Sequence, residues 1–219
     1  MRPSLSLILN ILLRLLIVYF LVEVMLFPED PRFAGKAIPL RNLIIVGGLS
    51  LLFPLLYFLG KKRKSYPYLA DFIYLSIYIF DMAGNSLNLY DTVWYYDIIA
   101  HFYGTGAFAA VAYLVILGRQ KFGAIKLSGF EILLFAVGIA TIIHVGLELQ
   151  EYYTDVFFGT HNVVGKTNDV QGMADTGHDL VAGFLGSFVY IWAVNLLFAL
   201  NSRYKNETLE SLGTIFTRG

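Results

Sequence analysis

The sequence predicts an all-α, polytopic membrane protein that forms a single transmembrane helical domain over residues 1–219. Apolar residues make up 57% of the chain and charged residues only 15%, whereas about 25% of residues are charged in an ordinary soluble domain. Six apolar stretches come close to the roughly 20 residues that a helix needs to cross a hydrocarbon core about 30 Å thick. We therefore expect a multi-pass protein of the cell membrane, surrounded by lipid.

The six predicted helices follow one another with short connections, apart from a polar loop at Tyr153–Ala174. The third helix is the weakest, because Asp71 and Asp81 lie inside it; we expect Asp71 to be structural. The first begins like a signal peptide but is longer than the usual apolar region and lacks a clear cleavage site, which indicates a retained anchor. The predicted helices are Leu5–Phe27, Leu40–Gly60, Tyr68–Leu87, Val93–Leu117, Phe130–Tyr152 and Asp175–Leu200.

The distribution of basic residues predicts that both termini are cytoplasmic. Short loops rich in Lys and Arg stay on the cytoplasmic side of a membrane. One side of the predicted bundle carries most of the cations, and the opposite side carries few cations and many carboxylates. The cation-rich side holds Arg2, Lys61–Lys64, Arg119, Lys121, Lys126, Arg203, Lys205 and Arg218, and the opposite side holds only Arg32, Lys36, Arg41 and Lys166.

Composition also excludes several classes of function. Sixteen Lys and Arg residues balance sixteen Asp and Glu residues, and no basic stripe interleaved with aromatic residues indicates a nucleic-acid partner. The chain contains no cysteine, which excludes disulfides, thiolate metal sites and cysteine nucleophiles. A phosphate-binding loop, a dinucleotide fingerprint and a nucleophile elbow are also missing. Any reactive site must therefore use oxygen and imidazole groups.

Three predicted helices carry such groups near the same membrane surface. Residues three or four apart share one face of a helix, and carboxylates and histidines recur at this spacing. Ionised groups below the headgroups are costly unless they face the bundle interior and one another, and the acidic members would repel unless neutralised. The groups are Asp97 and His101 on the fourth helix, His144, Glu148 and Glu151 on the fifth, and Asp175, His178 and Asp179 on the sixth.

A divalent cation is the simplest counter-charge for this set. Imidazole together with carboxylate suits zinc, manganese or iron, whereas oxygen ligands alone would suit calcium or magnesium. We therefore expect a His and carboxylate site, with some members orienting the ligands rather than binding the metal. The preferred ligands are Asp97, His101, Glu148, Asp175 and Asp179, followed by His144 and His178.

The same residues resemble the YjdF-like membrane proteins and, more distantly, the VanZ-like proteins of teicoplanin resistance. The resemblance rests on Asp97-x-x-x-His101-Phe102, on Glu148-x-x-Glu151, and on "DTGHDLVAGFLG" after an acidic loop, and it extends over Asp81–Val189. It implies a multi-helix bacterial or archaeal membrane protein and a site, but no particular reaction. His178 departs from the pattern, which has a polar or basic residue there. The positions that carry over are Asp97, His101, Glu148, Asp175 and Asp179.

Structural interpretations of the same residues stay open beside these. Asp175 could cap the sixth helix, and Asp179 could pair with His101 or His178 as a buried structural group. His144 could be a hydrogen-bonded core histidine. Asp81 and Asn85 could complete the polar cluster or end the third helix.

Small residues on the fourth and sixth helices predict that these two helices pack closely. Such residues let helix backbones approach one another in a membrane, which would bring Asp97 and His101 against Asp175 and Asp179. The residues are Gly104, Gly106, Ala107, Ala182, Gly183, Gly186 and Ser187.

Two functions fit the predicted site. The first is a metal-dependent enzyme that acts on a lipid or lipid-linked headgroup, with Glu148 or Glu151 as general base. The second is a transporter or binding protein that uses the same carboxylates for a cation or a proton. A transport path should continue across the membrane, and the inward halves of the last three helices are apolar except for Glu131 and Asn195. The sequence does not indicate an oligomeric state.

Overall fold

The computed structural model describes residues 5–33, 42–60, 65–159 and 170–216, and within these ranges every regular element is a helix. We number the α-helices in chain order. They are α1 (Leu5–Leu26), α2 (Leu52–Leu59), α3 (Tyr68–Ser86), α4 (Leu89–Thr92), α5 (Tyr96–Lys121), α6 (Gly129–Phe158), α7 (Val170–Leu200) and α8 (Ser202–Phe216), with a π-helix at Asn42–Gly47 before α2.

Four of the described helices are long and apolar enough to cross a membrane: α1, α5, α6 and α7 from Gly172 onward. The all-α membrane class is therefore confirmed. The third predicted stretch forms the 19-residue helix α3, whose two aspartates and several tyrosines lower its apolarity. The second predicted stretch is interrupted, because the π-helix ends before α2 begins. Pro54 lies in the first turn of α2, where its missing N–H group costs no hydrogen bond.

Contacts between α1 and α3 show that these two helices run parallel. Asn10, near the start of α1, donates to the carbonyl of Tyr68 at the start of α3 (3.2 Å). After the other end of α1, Arg32 donates to the carbonyl of Ser86 at the end of α3 (2.7 Å). The chain between α1 and α3 must therefore return along the bundle, and the π-helix and α2 lie in this return segment. The number of six membrane spans stays a prediction.

The bundle has two chemically different ends, which we call the site end and the tail end. The site end contains Asp97 at the start of α5, and the tail end contains α8. Which end faces the cytoplasm stays a prediction. Several basic residues used for that prediction lie outside the described residues: Arg2, Lys36, Arg41, Lys61–Lys64, Lys166 and Arg218.

An ion pair between a buried carboxylate of α3 and a partly exposed guanidinium of α1 joins these helices in the tail-end half of the bundle. The guanidinium of Arg14 donates to both carboxylate oxygens of Asp71, at 3.0 and 2.8 Å, and the Tyr66 hydroxyl donates to the same carboxylate at 2.6 Å. Asp71 is completely buried. Since a buried charge in an apolar bundle needs a partner, this pair explains why the weakest predicted helix still packs inside.

At the site end, the turn after α1 is held by Arg32. Its guanidinium forms ion pairs with Glu23 and Asp30, each at 2.9 Å. The hydrogen bond from Arg32 lowers the pKa of the Asp30 carboxyl to about 2, so this contact persists well into the acid range. The turn also places Phe33, which is buried, against Val24 of α1.

The C-terminal helix α8 was not predicted, because the tail after Asn201 contains many polar residues. Its apolar residues are three apart and therefore share one face. The Lys121 ammonium at the end of α5 donates to the carbonyl of Asn206 (3.2 Å), which fixes α8 beneath α5. The buried residues of this face are Leu209, Leu212 and Ile215.

Helices α5 and α7 pack with their backbones close together, as the small residues predicted. Gly186 of α7 lies directly against the carbonyl of Phe102 on α5, and Gly106 of α5 lies against the backbone of Gly186. Gly104, in contrast, faces Ile77 of α3 rather than α7. The close approach brings the acidic part of α7 next to the first turns of α5.

We expect the substitution Gly186→Ala to destabilise the protein strongly. A Cβ atom at this position would overlap the Phe102 carbonyl oxygen and lie 2.9 Å from its carbon, and backbone cannot move aside as a flexible side chain can. Forcing extra volume into a packed interior costs roughly 1–3 kcal/mol or more. The measurement is thermal unfolding in detergent. Gly146→Ala is the matched control, because nothing lies within 4 Å of its Cβ; equal melting temperatures for the two variants would contradict the packing.

Two helix boundaries differ from those predicted and shorten the polar loop between them. Helix α6 continues to Phe158, six residues beyond the predicted end at Tyr152. Helix α7 is already formed at Val170, so Asp175 lies five residues inside it and Asp179 nine. Asp175 therefore does not cap the helix, and the helix dipole, which acts within the first turn, does not explain either carboxylate.

Candidate functional site

The centre of the candidate site is a contact between two histidines and one glutamate of α5 and α6. The Nδ1 atom of His101 lies 2.7 Å from the Nε2 atom of His144. The Oε1 atom of Glu148 lies 3.3 Å from the Nδ1 atom of His101 and 3.2 Å from the Nε2 atom of His144. The three ligand-type atoms thus form a small triangle in which every edge joins two potential metal donors.

The carboxylate in this triangle is buried, and its Oε1 atom has no hydrogen-bond donor. Glu148 is 6% exposed, and its Oε1 atom accepts no hydrogen bond although two imidazole nitrogens are close. The rings do not direct an N–H group at the oxygen. A buried carboxylate oxygen without a donor is costly, so this atom indicates either a binding site for a cation or another functional role.

A second group of ligand-type atoms shares His101 with the first. The Nε2 atom of His101 lies 3.4 Å from the Oδ1 atom of Asp97, one turn earlier on α5. Asp179 of α7 completes this group, in which one ligand atom from each residue lies within 4.8 Å of the others. Asp179 is 2% exposed, and its Oδ1 atom also has no hydrogen-bond partner. His101 therefore connects two carboxylate-containing sets.

Helix packing fixes the position of the second histidine. A Cβ atom on Gly183 of α7 would overlap the ring of His144 and lie 2.6 Å from the Thr105 hydroxyl oxygen. Only a glycine at this position lets α7 close over the imidazole, which is 2% exposed. His144 follows Gly129, the first residue of α6, by 15 residues, or about 22 Å at 1.5 Å per residue. His144 thus lies near the middle of the 30-residue helix α6.

The structure separates the remaining predicted residues into two sets. Glu151 and Asp175 are half-buried and line a cavity beside His101. His178, in contrast, is exposed on α7 and belongs to neither ligand group, because its position one residue before Asp179 points it about 100° around the helix. The structure therefore does not bring His178 to the cluster.

Asp81 and Asn85 of α3 line the same cavity, so they extend the polar cluster as well as standing near the end of their helix. The Tyr90 hydroxyl donates to the Asp81 carboxylate at 3.1 Å. The Asn85 amide donates to the backbone carbonyl of Asp81 at 3.0 Å. Both roles that the sequence left open for these two residues are thus filled.

The cavity has a volume of about 800 Å³ and is lined mainly by α3, α5, α6 and the return segment between α1 and α3, with α4 and Asp175 of α7 at its polar end. Both histidines line it, as do Asp97 and Thr105. This space could not be predicted from the sequence, because its walls come from segments far apart in the chain. The volume falls in the range of roughly 300–1,000 Å³ that is usual for ligand pockets.

Fold and cluster together define an α-helical membrane protein with a His and carboxylate site at one end of its bundle. The chain belongs to the family described as "Predicted membrane protein (DUF2238)", which matches residues 8–199. The description of this family mentions neither YjdF-like nor VanZ-like proteins, so the resemblance to them stays a prediction.

A protein of Thermotoga maritima with the description "Uncharacterized protein" is 26% identical over 113 residues. The match covers 52% of this chain and 54% of the relative, so the chain spans about half the length of that protein. No solved structure matches the chain.

Proposed function

We propose that the cluster around His101 binds a divalent metal ion and that the protein is a metal-dependent enzyme of the cell membrane. The observation that carries this proposal is the Glu148 oxygen, which is buried beside two imidazole nitrogens without a hydrogen-bond donor. Two imidazoles and a carboxylate favour zinc, manganese or iron over calcium or magnesium.

The distances in the first group are compatible with a metal centre. Ligands bound tetrahedrally at about 2.1 Å lie about 3.4 Å from one another. Two of the three edges, at 3.2 and 3.3 Å, are already close to this value. The nitrogens of His101 and His144 are closer, at 2.7 Å, and would separate by about 0.7 Å to reach the same tetrahedral edge.

His101 could bind such an ion through Nδ1 while its other nitrogen is held by a carboxylate. Metal-binding histidines commonly donate their second N–H group to a carboxylate, which fixes the tautomer and the ring orientation. Asp97, 3.4 Å from Nε2, is positioned for this role, and Asp179 supports it from α7. In the alternative arrangement the ion lies between Asp97, His101 and Asp179.

The reaction we propose takes place on a lipid or lipid-linked headgroup. Three protein ligands leave a coordination position open, as in catalytic rather than structural metal sites. A metal there would polarise a phosphoryl or carbonyl oxygen or activate a water molecule. Glu148 fits the role of ligand better than that of general base because it lies between the histidines. Glu151 lines the cavity and is the better candidate for the base.

The alternative of a cation or proton transporter has less support. Both polar groups noted in the inward halves of the helices have structural partners: Glu131 forms a capping box with Ser128, and Asn195 accepts from the Tyr113 hydroxyl at 2.9 Å. Neither is left to continue a polar path from His101 toward the tail end.

We expect detergent-purified protein to retain a stoichiometric divalent metal and Asp179→Asn to lose most of it on purification, because the loss of a residue that supports a ligand usually lowers metal affinity 10–100-fold. The substitution keeps the size of the side chain but removes a buried charge beside His101, while the variant still folds and inserts. Metal content is measured by mass spectrometry after incubation with zinc, manganese or iron, and bound metal should raise the melting temperature of the parent only. Glu207→Gln, an exposed acid-to-amide change at the tail end, is the matched control.

Activity is tested on the same preparations. Parent protein incubated with a membrane lipid extract should form a headgroup-modified product that a chelator abolishes. Metal-free parent protein would refute the metal site. Metal retention with no lipid product, but with cation flux in vesicles, would favour the transporter.

A further inference from the structure

The two nitrogens of His101 face different sets of ligand-type atoms. Its Nδ1 atom lies 2.7 Å from the Nε2 atom of His144 and 3.3 Å from the Oε1 atom of Glu148. Its Nε2 atom lies 3.4 Å from the Oδ1 atom of Asp97, and Asp179 completes this second group. The two nitrogens of an imidazole ring point away from each other, and either of them can bind a metal ion. An ion in one group therefore leaves the position in the other group open.

Each group contains a buried carboxylate oxygen that accepts no hydrogen bond from the described residues. In the first group this atom is Oε1 of Glu148, and in the second group it is Oδ1 of Asp179. The two residues are 6% and 2% exposed. A single ion in the first group neutralises the Glu148 oxygen, but the Asp179 oxygen belongs to the other group and gains no partner. Because a buried carboxylate without compensation is costly, the Asp179 oxygen indicates a second cation.

The balance of charge also favours two ions. Three carboxylates belong to the two groups: Asp97, Glu148 and Asp179. With one divalent ion and neutral imidazoles, this set keeps one negative charge. A second ion displaces the Nε2 proton of His101 to water, because a metal ligand must be deprotonated at the atom that binds. The three carboxylates and the resulting imidazolate then balance two divalent ions.

The two positions differ in their access to the cavity and in their ligands. Glu148 and His144 are almost fully buried, whereas the Asp97 side chain is 29% exposed and lines the cavity. An ion from the surroundings therefore reaches the second position more readily, and also leaves it more readily. One imidazole and two carboxylates suit manganese there, while two imidazoles and one carboxylate in the first position suit zinc.

We propose that His101 bridges two divalent metal ions, one held with His144 and Glu148 and the other with Asp97 and Asp179. The first ion is that of the proposed function, on which this inference rests. With only the first ion bound, the Nε2 atom of His101 keeps its proton and donates it to Asp97. The second ion replaces that proton, binds more weakly, and lies on the cavity wall, where it can bind an oxygen atom of the substrate.

The number of bound ions tests the proposal. Metal-depleted protein in detergent is dialysed against excess manganese, and its metal content is measured by mass spectrometry. The parent protein should hold two ions per chain. Asp97→Asn should hold one, because the amide oxygen still accepts the Nε2 proton of His101 but is a poor replacement for a carboxylate ligand. Glu207→Gln, the same kind of change at an exposed position of the tail end, should hold two.

The outcomes distinguish this inference from the proposed function. If parent and Asp97→Asn each hold one ion, the second site is overturned and the proposed function is not affected. If the parent holds no ion, both are overturned. If Asp97→Asn holds two ions, the ligands assigned to the second ion are wrong.

A spectroscopic measurement on the parent protein tests the bridge without any variant. Two ions bound to one imidazolate lie roughly 6 Å apart, a distance made up of two bonds of about 2.1 Å and the width of the ring. Electron paramagnetic resonance of protein with two manganese ions should therefore show a magnetically coupled pair, and protein with one ion should show an isolated ion. Two bound ions with the spectrum of isolated ions would overturn the bridge through His101.

Discussion

The substitution His101→Gln is expected to abolish metal binding altogether. His101 is the one residue that the two ligand groups share. Its loss therefore leaves only two ligand residues in each group. Loss of a supporting residue outside the ligand set usually costs 10–100-fold in metal affinity, so loss of this shared ligand should exceed about 100-fold. Isothermal titration of metal-depleted protein with zinc or manganese measures the change.

His178→Gln provides a closely matched control for this experiment. It makes the same chemical change on α7, one residue from Asp179, but on an exposed side chain outside the cluster. We expect the affinity of this variant to equal that of the parent. If His178→Gln weakened binding as much as His101→Gln, the ligand set described above would be incorrect.

The second large effect is expected at the buried pair between α1 and α3. Asp71→Leu leaves the Arg14 guanidinium without the two carboxylate contacts at 3.0 and 2.8 Å in an apolar bundle. Removing one partner of a fully buried ion pair costs about 3–5 kcal/mol, and we expect a loss of up to this size here. The Arg14 side chain is 26% exposed and keeps its hydrogen bonds to the Asn10 and Ser50 carbonyls and the Tyr66 hydroxyl. Reversible unfolding by denaturant in detergent, or the melting temperature where unfolding is irreversible, measures the loss.

The double variant Arg14→Leu/Asp71→Leu tests the cause of that loss. Replacing both members of a buried pair by apolar residues is often neutral or stabilising, so we expect the double variant to be more stable than Asp71→Leu alone. A double variant less stable than the single one would show that the pair contributes net stabilisation beyond neutralising Arg14.

Local spacing in the sequence was sufficient to predict most residues of the candidate cluster. Asp97 and His101, and likewise His144 and Glu148, are four residues apart, and helical geometry places such residues on one face without any knowledge of the fold. The small residues Gly183 and Gly186 also indicated which two helices meet. These inferences succeeded because they depend on the period of a single helix or on one pairwise contact.

Features that depend on distant segments were not accessible in this way. The contact between His101 and His144 joins residues 43 apart in the chain, and Arg14 and Asp71 are 57 apart. The start of α7 was misplaced because polar residues before Asp175 suggested a loop, although a helix that extends beyond the hydrocarbon core can contain them. The cavity is the space left between several packed helices, and the sequence of a single segment does not predict it.

Helix α8 can cover the tail end of the bundle only at a late stage of synthesis. Domains and helices emerge from the ribosome from the N-terminus onward, and α8 follows every apolar helix of the bundle in the chain. The face formed by Leu209 and Leu212 becomes buried against the tail end only after α1 to α7 have been made. Before that moment the apolar surface that α8 covers is exposed in the partly made protein, and a ribosome stalled near Asn201 would leave that surface uncovered.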